Sequence, residues 1–322
     1  MLGKFVWVGG EMHMIAAEKL GSRSMLKRIW SYRTLYLMIF VGVLYFVLFK
    51  YVTIYGLLIA FKNYKFKLGI MGSEWVGWKN FQRALSNKDV PIVIKNTIII
   101  SMGRLVFGFP APILLALLLN ELRSKIFTRV TQSVLYLPYF ISWIVMAGLC
   151  KNLFSITNGV IPNVMARFGI TMPSLMTDPA YFRGFLYGTD IWKNMGWGTI
   201  IYLAAIAGVD QELYEAGIMD GCNRFRQVLH ITLPCIAPTI ITLLVLNMGG
   251  IMNAGFDQIF NLQNSRVQKV SDILDTYLYR LGLLNGKYEY ATVIGMTKSL
   301  VNCILLFSAN WVAGKISESS PL

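Results

Sequence analysis

The chain is poor in charged residues. Asp, Glu, Lys and Arg make up only 14% of its 322 residues, against about 25% in an average soluble domain. Hydrophobic residues account for 55% of the sequence. A soluble protein of this size needs far more polar surface, so this composition argues against a soluble enzyme or a nucleic-acid-binding domain. It indicates a protein that crosses a membrane several times.

Cysteine and histidine are scarce as well. The 4 cysteines stand far apart and lack the CxxC spacing of metal ligands or redox pairs. His13 and His230 are the 2 histidines, too few and too distant for a zinc site or a histidine-based triad. We therefore expect free thiols in or near apolar helices and no metal site.

The sequence also lacks a phosphate-binding loop of the form GxxxxGK[ST]. The nearest approach, from Gly282 to Tyr288, is one residue short and ends in tyrosine. No Ser/His/Asp set or pair of intramembrane carboxylates indicates catalysis. We expect that the chain has no ATPase site of its own and is not an enzyme. A membrane enzyme acting on glycans or lipids is the alternative.

Long apolar runs are abundant. Six of them have the roughly 20 residues needed to cross a bilayer as a helix, at 34–55, 92–119, 130–150, 184–209, 231–252 and 291–313. We predict an all-α protein with six transmembrane helices behind an N-terminal arm, residues 1–33. This arm has no uninterrupted apolar core, so the first span is an uncleaved anchor and the N-terminus is expected in the cytoplasm. Lys and Arg divide almost evenly between the two sides, so their count does not settle the orientation.

A polar stretch, residues 210–234, separates the fourth and fifth spans. Asp210 is placed to cap a short helix, and Gly221 is placed to end it in the left-handed conformation. Apolar residues at helical spacing continue beyond the glycine. The spacing predicts two short helices that meet at a glycine elbow, with an acidic first limb and a basic second limb. Such an elbow is suited to docking another protein.

The elbow carries a recognisable motif. It contains Glu-Ala-Gly at 215–217, then three residues, Gly221, nine residues, and Ile-x-Leu-Pro at 231–234. This resembles the EAA motif (E-A-A-x3-G-x9-I-x-L-P) of permease subunits in bacterial ABC importers that work with a substrate-binding protein. The chain departs from the motif at Gly217, where the family has alanine; the change lowers helix propensity by up to about 1 kcal/mol.

Weaker matches extend the resemblance from about residue 51 to the C-terminus. They are Asn96-Thr97, the run from Gly108 to Pro112, the run from Tyr136 to Pro138, and the run from Ala291 to Gly295. Together they look most similar to the carbohydrate branch of the family, in particular to permeases for fragments of complex or acidic polysaccharides such as alginate or pectin.

The resemblance implies a type I ABC importer permease fold in the bacterial inner membrane, with both termini cytoplasmic. Residues 34–322 would form the transmembrane domain. The implied partners are a second, homologous permease, two ATPase subunits that bind ATP and magnesium, an extracytoplasmic solute-binding protein and an oligosaccharide; this chain itself would bind no cofactor. The ATPase-coupling residues would be Glu215, Ala216, Gly217, Asp220, Gly221, Arg224, Ile231, Leu233 and Pro234.

Candidates for the substrate path come from polar and aromatic residues inside the spans. Sugar recognition needs aromatic faces for the ring and amides or charges for hydroxyls and carboxylates. The candidates are Asn247, Asn253 and Asp257 in or after the fifth span, Trp192, Lys193 and Trp197 in the fourth, and Arg104 in the second. The alternatives are amides that satisfy neighbouring backbone, tryptophans that anchor at the interface, and an arginine that pairs with another helix.

Two features belong to the outer side in this topology. Apolar residues at helical spacing near Ser271 to Arg280 predict an amphipathic helix, either on the outer membrane surface within reach of the binding protein or simply resting at the interface. The outer loops also carry more Lys and Arg than Asp and Glu. Lipid headgroups, an acidic binding-protein surface or an anionic cargo would each explain this bias. The working hypothesis is a uronic-acid-containing oligosaccharide.

Overall fold

The computed structural model describes residues 5–8, 11–14, 30 and 32–316 and is helical through most of that length. The chain divides into two units, one ending at Leu58 and the other beginning at Ile59. Most of the predicted N-terminal arm, 1–33, lies outside the described residues. Its described part includes a two-stranded antiparallel hairpin, β1 (Phe5–Val8) and β2 (Glu11–Met14).

The first predicted span forms a long helix. α1 (Arg33–Phe46) passes through a π-helical segment, Val47–Tyr51, into α2 (Val52–Ile54). Every residue of α1 is exposed. A helix that is apolar on all sides and exposed in the isolated chain has to be covered by lipid or by another subunit.

A segment of short elements follows the first span. A 3-10 helix, Tyr55–Phe61, leads to β3 (Lys62–Asn63), which pairs with β4 (Glu74–Trp75) in an antiparallel hairpin, and α3 (Gly69–Gly72) lies between the two strands. α4 (Lys79–Leu85) packs beside the hairpin, because the buried Asn80 amide donates to the carbonyls of Ala60 and Lys62 at 3.0 and 2.8 Å.

The second predicted span is confirmed as a helix and carries an irregularity. α5 (Asp89–Gly103) continues through a π-helical segment, Arg104–Gly108, into α6 (Pro110–Asn120). The extra residue of a π-turn relieves the clash that Pro110 and Pro112 would otherwise cause within a continuous α-helix. Arg104 therefore sits where the helix widens.

The third predicted span, 130–150, is broken, so the expectation of one continuous helix was wrong. α7 (Lys125–Tyr136) ends in a 3-10 turn, Leu137–Phe140, and α8 (Trp143–Phe154) leaves at an angle of 103°. Pro138 cannot continue an α-helix, and the Ser142 side chain accepts from the Val145 amide and starts the new helix. The Lys193 ammonium donates to the carbonyls of Tyr139 and Ile141, each at 2.6 Å.

The fourth span and the elbow follow α9 (Val160–Arg167). α10 (Pro179–Ala207) is 29 residues long. The elbow consists of α11 (Gln211–Met219) and α12 (Arg224–Gln227). α12 is not a separate short helix as predicted, because it continues through a π-helical segment, Val228–Thr232, into α13 (Leu233–Gly249). The π-turn accommodates Pro234 without ending the helix.

The chain breaks again after α13. A 3-10 turn, Ile251–Asn253, precedes α14 (Phe256–Leu262), and then come α15 (Gln268–Ser271), α16 (Leu274–Leu278), a π-helical segment at Tyr279–Leu284 and the final α17 (Tyr288–Ile316). α16 matches the predicted amphipathic helix. Its apolar side is nevertheless buried within the protein, where Leu274 and Tyr277 join the same cluster as Val93 and Val293.

Within the described residues, four helical stretches are long and apolar enough to cross a membrane, and the bent pair α7–α8 is a candidate fifth. The four are Arg33–Phe61, Asp89–Asn120, Arg224–Gly249 and Tyr288–Trp311. α10 has sufficient length, roughly 44 Å at 1.5 Å per residue, but its polar residues leave it less apolar. The count of six transmembrane helices stays a prediction.

Candidate functional site

A cavity of about 590 Å³ opens between the second, fourth and fifth predicted spans. This volume lies in the range of small-molecule sites. Four of the predicted substrate-path residues line it together: Arg104, Trp197, Asn247 and Asn253. Residues from three separate parts of the sequence therefore meet at one polar space.

The cavity has an aromatic wall. The rings of Tyr139 and Trp197 stack at a centroid distance of 4.7 Å with an interplanar angle of 6°, and Phe140 meets Trp197 edge-on. Tyr139 lies in the break between α7 and α8, so the break supplies a cavity-lining ring. An aromatic surface of this kind suits the apolar face of a sugar ring.

Arg104 contributes a cation to the cavity. Its guanidinium donates to Oε1 of Gln258, and its Nη2 lies 3.7 Å from Oδ1 of Asp190. It packs directly over Gly255, whose φ of +78° is left-handed; a Cβ at this position would overlap the guanidinium. Glycine is required here both for the backbone conformation and for the space.

The break in the fifth span brings the two asparagines to the cavity. The helix stops at Gly249, and Ala254 adopts a left-handed φ of +45° before α14 begins. Asn247 donates its side-chain amide to the carbonyl of Leu243 at 2.8 Å, which is the backbone-satisfying alternative considered above. Asn253 is exposed on the turn itself, where its polar atoms are free to face the cavity contents.

The other three candidates are placed elsewhere. Trp192 and Asp257 are exposed outside the cavity lining, and Lys193 is buried against the break of the third span. The ammonium of Lys193 also lies 5.4 Å from the ring centroid of Tyr139. Lys193 thus holds in place the segment that carries Tyr139, part of the aromatic wall.

Sequence reasoning did not select Asp190, Asn194 or Tyr139 as candidate site residues, although all three line the cavity. Asp190 lies two residues before Trp192 in the fourth predicted span. An available signal was that Asp190 and Arg104 are opposite charges within two predicted spans, where charged residues usually pair with one another.

The two ends of α11 in the elbow are capped by the residues expected from the sequence. The carboxylate of Asp210 accepts from the Glu212 amide at 3.0 Å and caps α11. At the other end Gly221 has a φ of +75°, its amide donates to the Ile218 carbonyl at 3.0 Å, and the Cys222 amide donates to the Gly217 carbonyl at 2.8 Å. This pair of bonds is a Schellman motif, which confirms the predicted glycine turn.

Tertiary contacts hold the elbow in place. The hydroxyls of Tyr214 and Thr232 lie 2.9 Å apart and join its two limbs. Ile231 and Leu233 pack against a core cluster formed largely by α6, α10 and α13. A Cβ on Gly217 would lie 2.8 Å from Cδ1 of Ile231, so the departure from alanine allows closer packing of the limbs.

The outer face of the elbow is apolar with charges around it. Met219 and Phe225 are 87% and 71% exposed, and Glu215, one helical turn before Met219, is also exposed. Arg224 pairs with Glu121 at 2.6 Å and ties the elbow to the end of α6. A rigid, exposed apolar patch with a charged rim is the anatomy of a protein-docking surface.

Among the described residues, no group of three or more His, Cys, Asp or Glu is arranged to hold a metal ion. What the described helices provide is a cavity among apolar spans and a docking elbow. These features define a membrane transport subunit.

Residues 108–317 match the family described as "Binding-protein-dependent transport system inner membrane component", and the chain belongs to this family. It is 44% identical to protein LplB of Bacillus subtilis (strain 168) over 284 residues, 88% of this chain and 89% of that protein. It is 42% identical over 301 residues, 94% of each chain, to the polygalacturonan/rhamnogalacturonan transport system permease protein YteP of the same organism.

The fold is similar to that of a solved permease. A chain of a bacterial ABC transporter involved in import of the acidic polysaccharide alginate is 36% identical, with a TM-score of 0.84 over 91% of this chain and 99% of that chain. A second structure of a bacterial alginate ABC transporter, in complex with an alginate pentasaccharide-bound periplasmic protein, gives the same TM-score at 35% identity.

Family membership confirms the central predictions from the sequence. The chain is a permease subunit of an ABC importer with an all-α fold of the type I permease class, and it resides in the inner membrane. It works with a solute-binding protein, a partner permease and ATPase subunits. ATP hydrolysis belongs to those separate subunits, so the alternative of a membrane enzyme is not supported.

Proposed function

We propose that this permease carries uronic-acid-containing oligosaccharides from its binding protein into the cytoplasm by alternating access. The observation that supports this most directly is a cationic side chain, Arg104, on the wall of a cavity that also presents stacked aromatic rings. Rings match the faces of a sugar, and a guanidinium matches its carboxylate. Arg104 already contacts Gln258 and lies near Asp190, and its remaining donors suit the carboxylate of a uronic acid.

The relatives support the same class of cargo. YteP is named for polygalacturonan and rhamnogalacturonan, and the structural neighbour is named for alginate, which is described as acidic. Both are more than one-third identical to this chain. The charge on the polymer is the property that their names share.

The outer loops support capture of an anion. In the proposed topology they are richer in Lys and Arg than in Asp and Glu. Basic walls around an entrance raise the local concentration of a negative ligand and speed its arrival. Lipid headgroups and an acidic binding-protein surface are the competing explanations, and they predict no dependence of uptake on cargo charge.

The elbow is the proposed ATPase contact. Its exposed apolar patch would seat in a partner ATPase that binds ATP and magnesium, and Glu215 would meet a basic group there. The remaining coupling residues shape this surface: Ala216, Gly217, Asp220, Gly221, Arg224, Ile231, Leu233 and Pro234. This assignment places the elbow and both termini in the cytoplasm.

The test of the cargo is ATPase activity of the complete importer in proteoliposomes, with its binding protein at saturation. Galacturonate and alginate pentasaccharides should stimulate ATP hydrolysis and enter the vesicles, whereas maltopentaose, a neutral oligosaccharide of equal length, should not. Stimulation by maltopentaose but not by either uronate oligomer would contradict the proposal.

A further inference from the structure

The ion pair between Arg104 and Asp190 is incomplete. The separation of 3.7 Å between Nη2 and Oδ1 is too long for a hydrogen bond. The same Asp190 oxygen accepts instead from the Asn194 amide at 2.9 Å. Within the part of the chain that the structure describes, Nε of Arg104 is buried and has no acceptor. A guanidinium has five N–H donors, so Arg104 retains donors for a further partner.

The position of Arg104 is set by a neutral residue. Gln258 is fully buried, and its Nε2 donates to the Leu186 carbonyl and the Thr189 hydroxyl, both at 2.8 Å. Because both amide hydrogens are used on that side, Oε1 of Gln258 faces Arg104 and accepts from it. The cation is therefore oriented by Gln258 without being neutralised by it.

The two charged groups are accessible from the cavity. The side chains of Arg104 and Asp190 are 20% and 15% exposed, and both line the cavity together with Asn194 and Trp197. Gln258 contacts the guanidinium from the buried side. A ligand in the cavity meets the same guanidinium from the open side, next to the aromatic wall.

We infer that Arg104 is the residue of this cavity that binds the carboxylate of the cargo. We infer also that the carboxylate of Asp190 competes with the cargo carboxylate for Arg104. A uronate carboxylate takes the unused donors of Arg104 when cargo enters, while Asp190 keeps its hydrogen bond from Asn194. The inference rests on the proposed function, because it names the residue that distinguishes an acidic sugar from a neutral one.

This arrangement has a physical reason. A nearby counter-charge lowers the cost of holding a cation in the empty cavity, and because the Arg104 side chain keeps 20% exposure, Asp190 eases that cost without being essential to the fold. A fully closed bidentate pair, however, would hold Arg104 too strongly for a sugar acid to displace. A carboxylate held slightly beyond hydrogen-bond distance stabilises the cation and leaves its donors free.

The competition makes a prediction that a purely structural ion pair does not make. Arg104→Gln removes the receptor for the acid group, so binding of a uronate pentasaccharide should weaken at least tenfold. Asp190→Asn removes the competitor and keeps the Asn194 side available for a hydrogen bond, so binding should be unchanged or tighter. If the two residues formed only a structural ion pair, Arg104→Gln and Asp190→Asn would each break that pair, and uronate binding would weaken to a similar extent in both variants.

The experiment is equilibrium binding of labelled galacturonate pentasaccharide to the complete importer in nanodiscs, without the binding protein, so that the selectivity of that protein does not enter. Arg167→Gln is the matched control, because Arg167 is an exposed arginine on α9 outside the cavity lining. Arg104→Lys keeps the charge but loses the planar fork, and it should bind with intermediate affinity.

Unchanged uronate binding in Arg104→Gln would overturn the inference, as would equal losses in Arg104→Gln and Asp190→Asn. If Arg104→Gln does not assemble, Asp190→Asn still decides, since weakened binding in that variant contradicts competition. Failure of the proposed function would look different, because the unaltered importer would then bind maltopentaose as well as it binds the uronate pentasaccharide.

Discussion

Single residues with special backbone conformations hold the two functional regions in shape. Gly221 turns the elbow with a φ of +75°, and Gly255 turns the fifth span beneath Arg104 with a φ of +78°. An L-residue in this region costs about 1–2 kcal/mol. The two positions differ in their surroundings, since nothing lies within 4 Å of a Cβ at Gly221 whereas the Arg104 guanidinium occupies that space at Gly255.

The elbow glycine leads to a test of coupling. Gly221→Pro fixes φ near −65° and removes the amide that donates to Ile218. We expect the importer to remain in the membrane but to lose most of its transport and its ATPase stimulation by the binding protein. Glu215→Lys should uncouple the importer in the same way, because it reverses the charge beside the exposed patch.

Gly169 provides the control for the elbow. It has the same φ of +75°, and its amide also donates to the carbonyl three residues earlier, at 3.0 Å, but it lies in the loop after α9. Gly169→Pro should cost similar stability and leave the stimulation of ATP hydrolysis per assembled importer unchanged. Full transport by both Gly221→Pro and Glu215→Lys would show that the elbow is not the coupling site.

The cavity glycine leads to a test of cargo binding. Gly255→Ala forces the Arg104 side chain away from Gln258, so affinity for a uronate pentasaccharide should fall about tenfold or more. Gly286→Ala is the control, because Gly286 is also left-handed, at +67°, with open space around its Cβ position. Equal affinities of the two variants, measured by equilibrium binding, would contradict the assigned position of Arg104.

At the scale of elements, the break in the third span is the principal departure from a regular bundle. α7 and α8 meet at 103°, and the carbonyls freed at the break are taken by the ammonium of Lys193. The charge on Lys193 is thus used within the protein. It fixes the segment that carries Tyr139 into the cavity.

Removing this ammonium should loosen the break. Lys193→Met removes the donor to the partly buried carbonyls of Tyr139 and Ile141, at a cost of up to about 1–3 kcal/mol for each group left unsatisfied. We expect the melting temperature of the purified importer to fall by several degrees, with slower uptake because the aromatic wall is displaced. Lys95→Met, at an exposed position on α5, should leave the melting temperature and the uptake rate unchanged. A similar loss in both variants would contradict the proposed role of Lys193 in holding the break.

Sequence patterns located most of the helices but neither the breaks within them nor their contacts. Apolar run length located the helices, and the residues near Asp210 and Gly221 located the elbow, because these signals are local. The break near Pro138 was not predicted, although a proline in the interior of the predicted span 130–150 is a helix-breaking signal, because run length alone does not register it. Arg104 and Asp190 are far apart in the sequence, and their meeting depends on how α5 and α10 pack.

At the scale of the whole molecule, one chain does not form a complete transporter. Every residue of α1 is exposed, and the fourth-span helix α10 presents large apolar side chains such as Ile201 and Trp192 on its surface. Apolar surface of this extent is covered by lipid or by another subunit. The family adds a second permease as one of the partners.

We predict that this second permease is a homologue and not another copy of this chain. The N-terminal arm and the long first outer loop, about 56–91, have the character of specialised additions. Expression with the ATPase but without a second permease should yield no assembled importer on size-exclusion chromatography. Recovery of an active assembly under those conditions would refute a heterodimer; restored assembly on adding a homologous permease would support it.

The continuity of α12, its π-helical segment and α13 has a mechanical consequence. Residues Arg224–Gly249 form one helix, roughly 39 Å long at 1.5 Å per residue, with the docking elbow at one end and the cavity at the other. Such a helix acts as a lever: tilting it by about 10° would displace its far end by roughly 7 Å. Movement imposed at the elbow would therefore reach Leu243 and Asn247 in the cavity lining along one unbroken helix, and the turn that carries Asn253 and Gly255 begins directly after it. The elbow and this wall of the cavity would then move together as the two ends of one rigid helix.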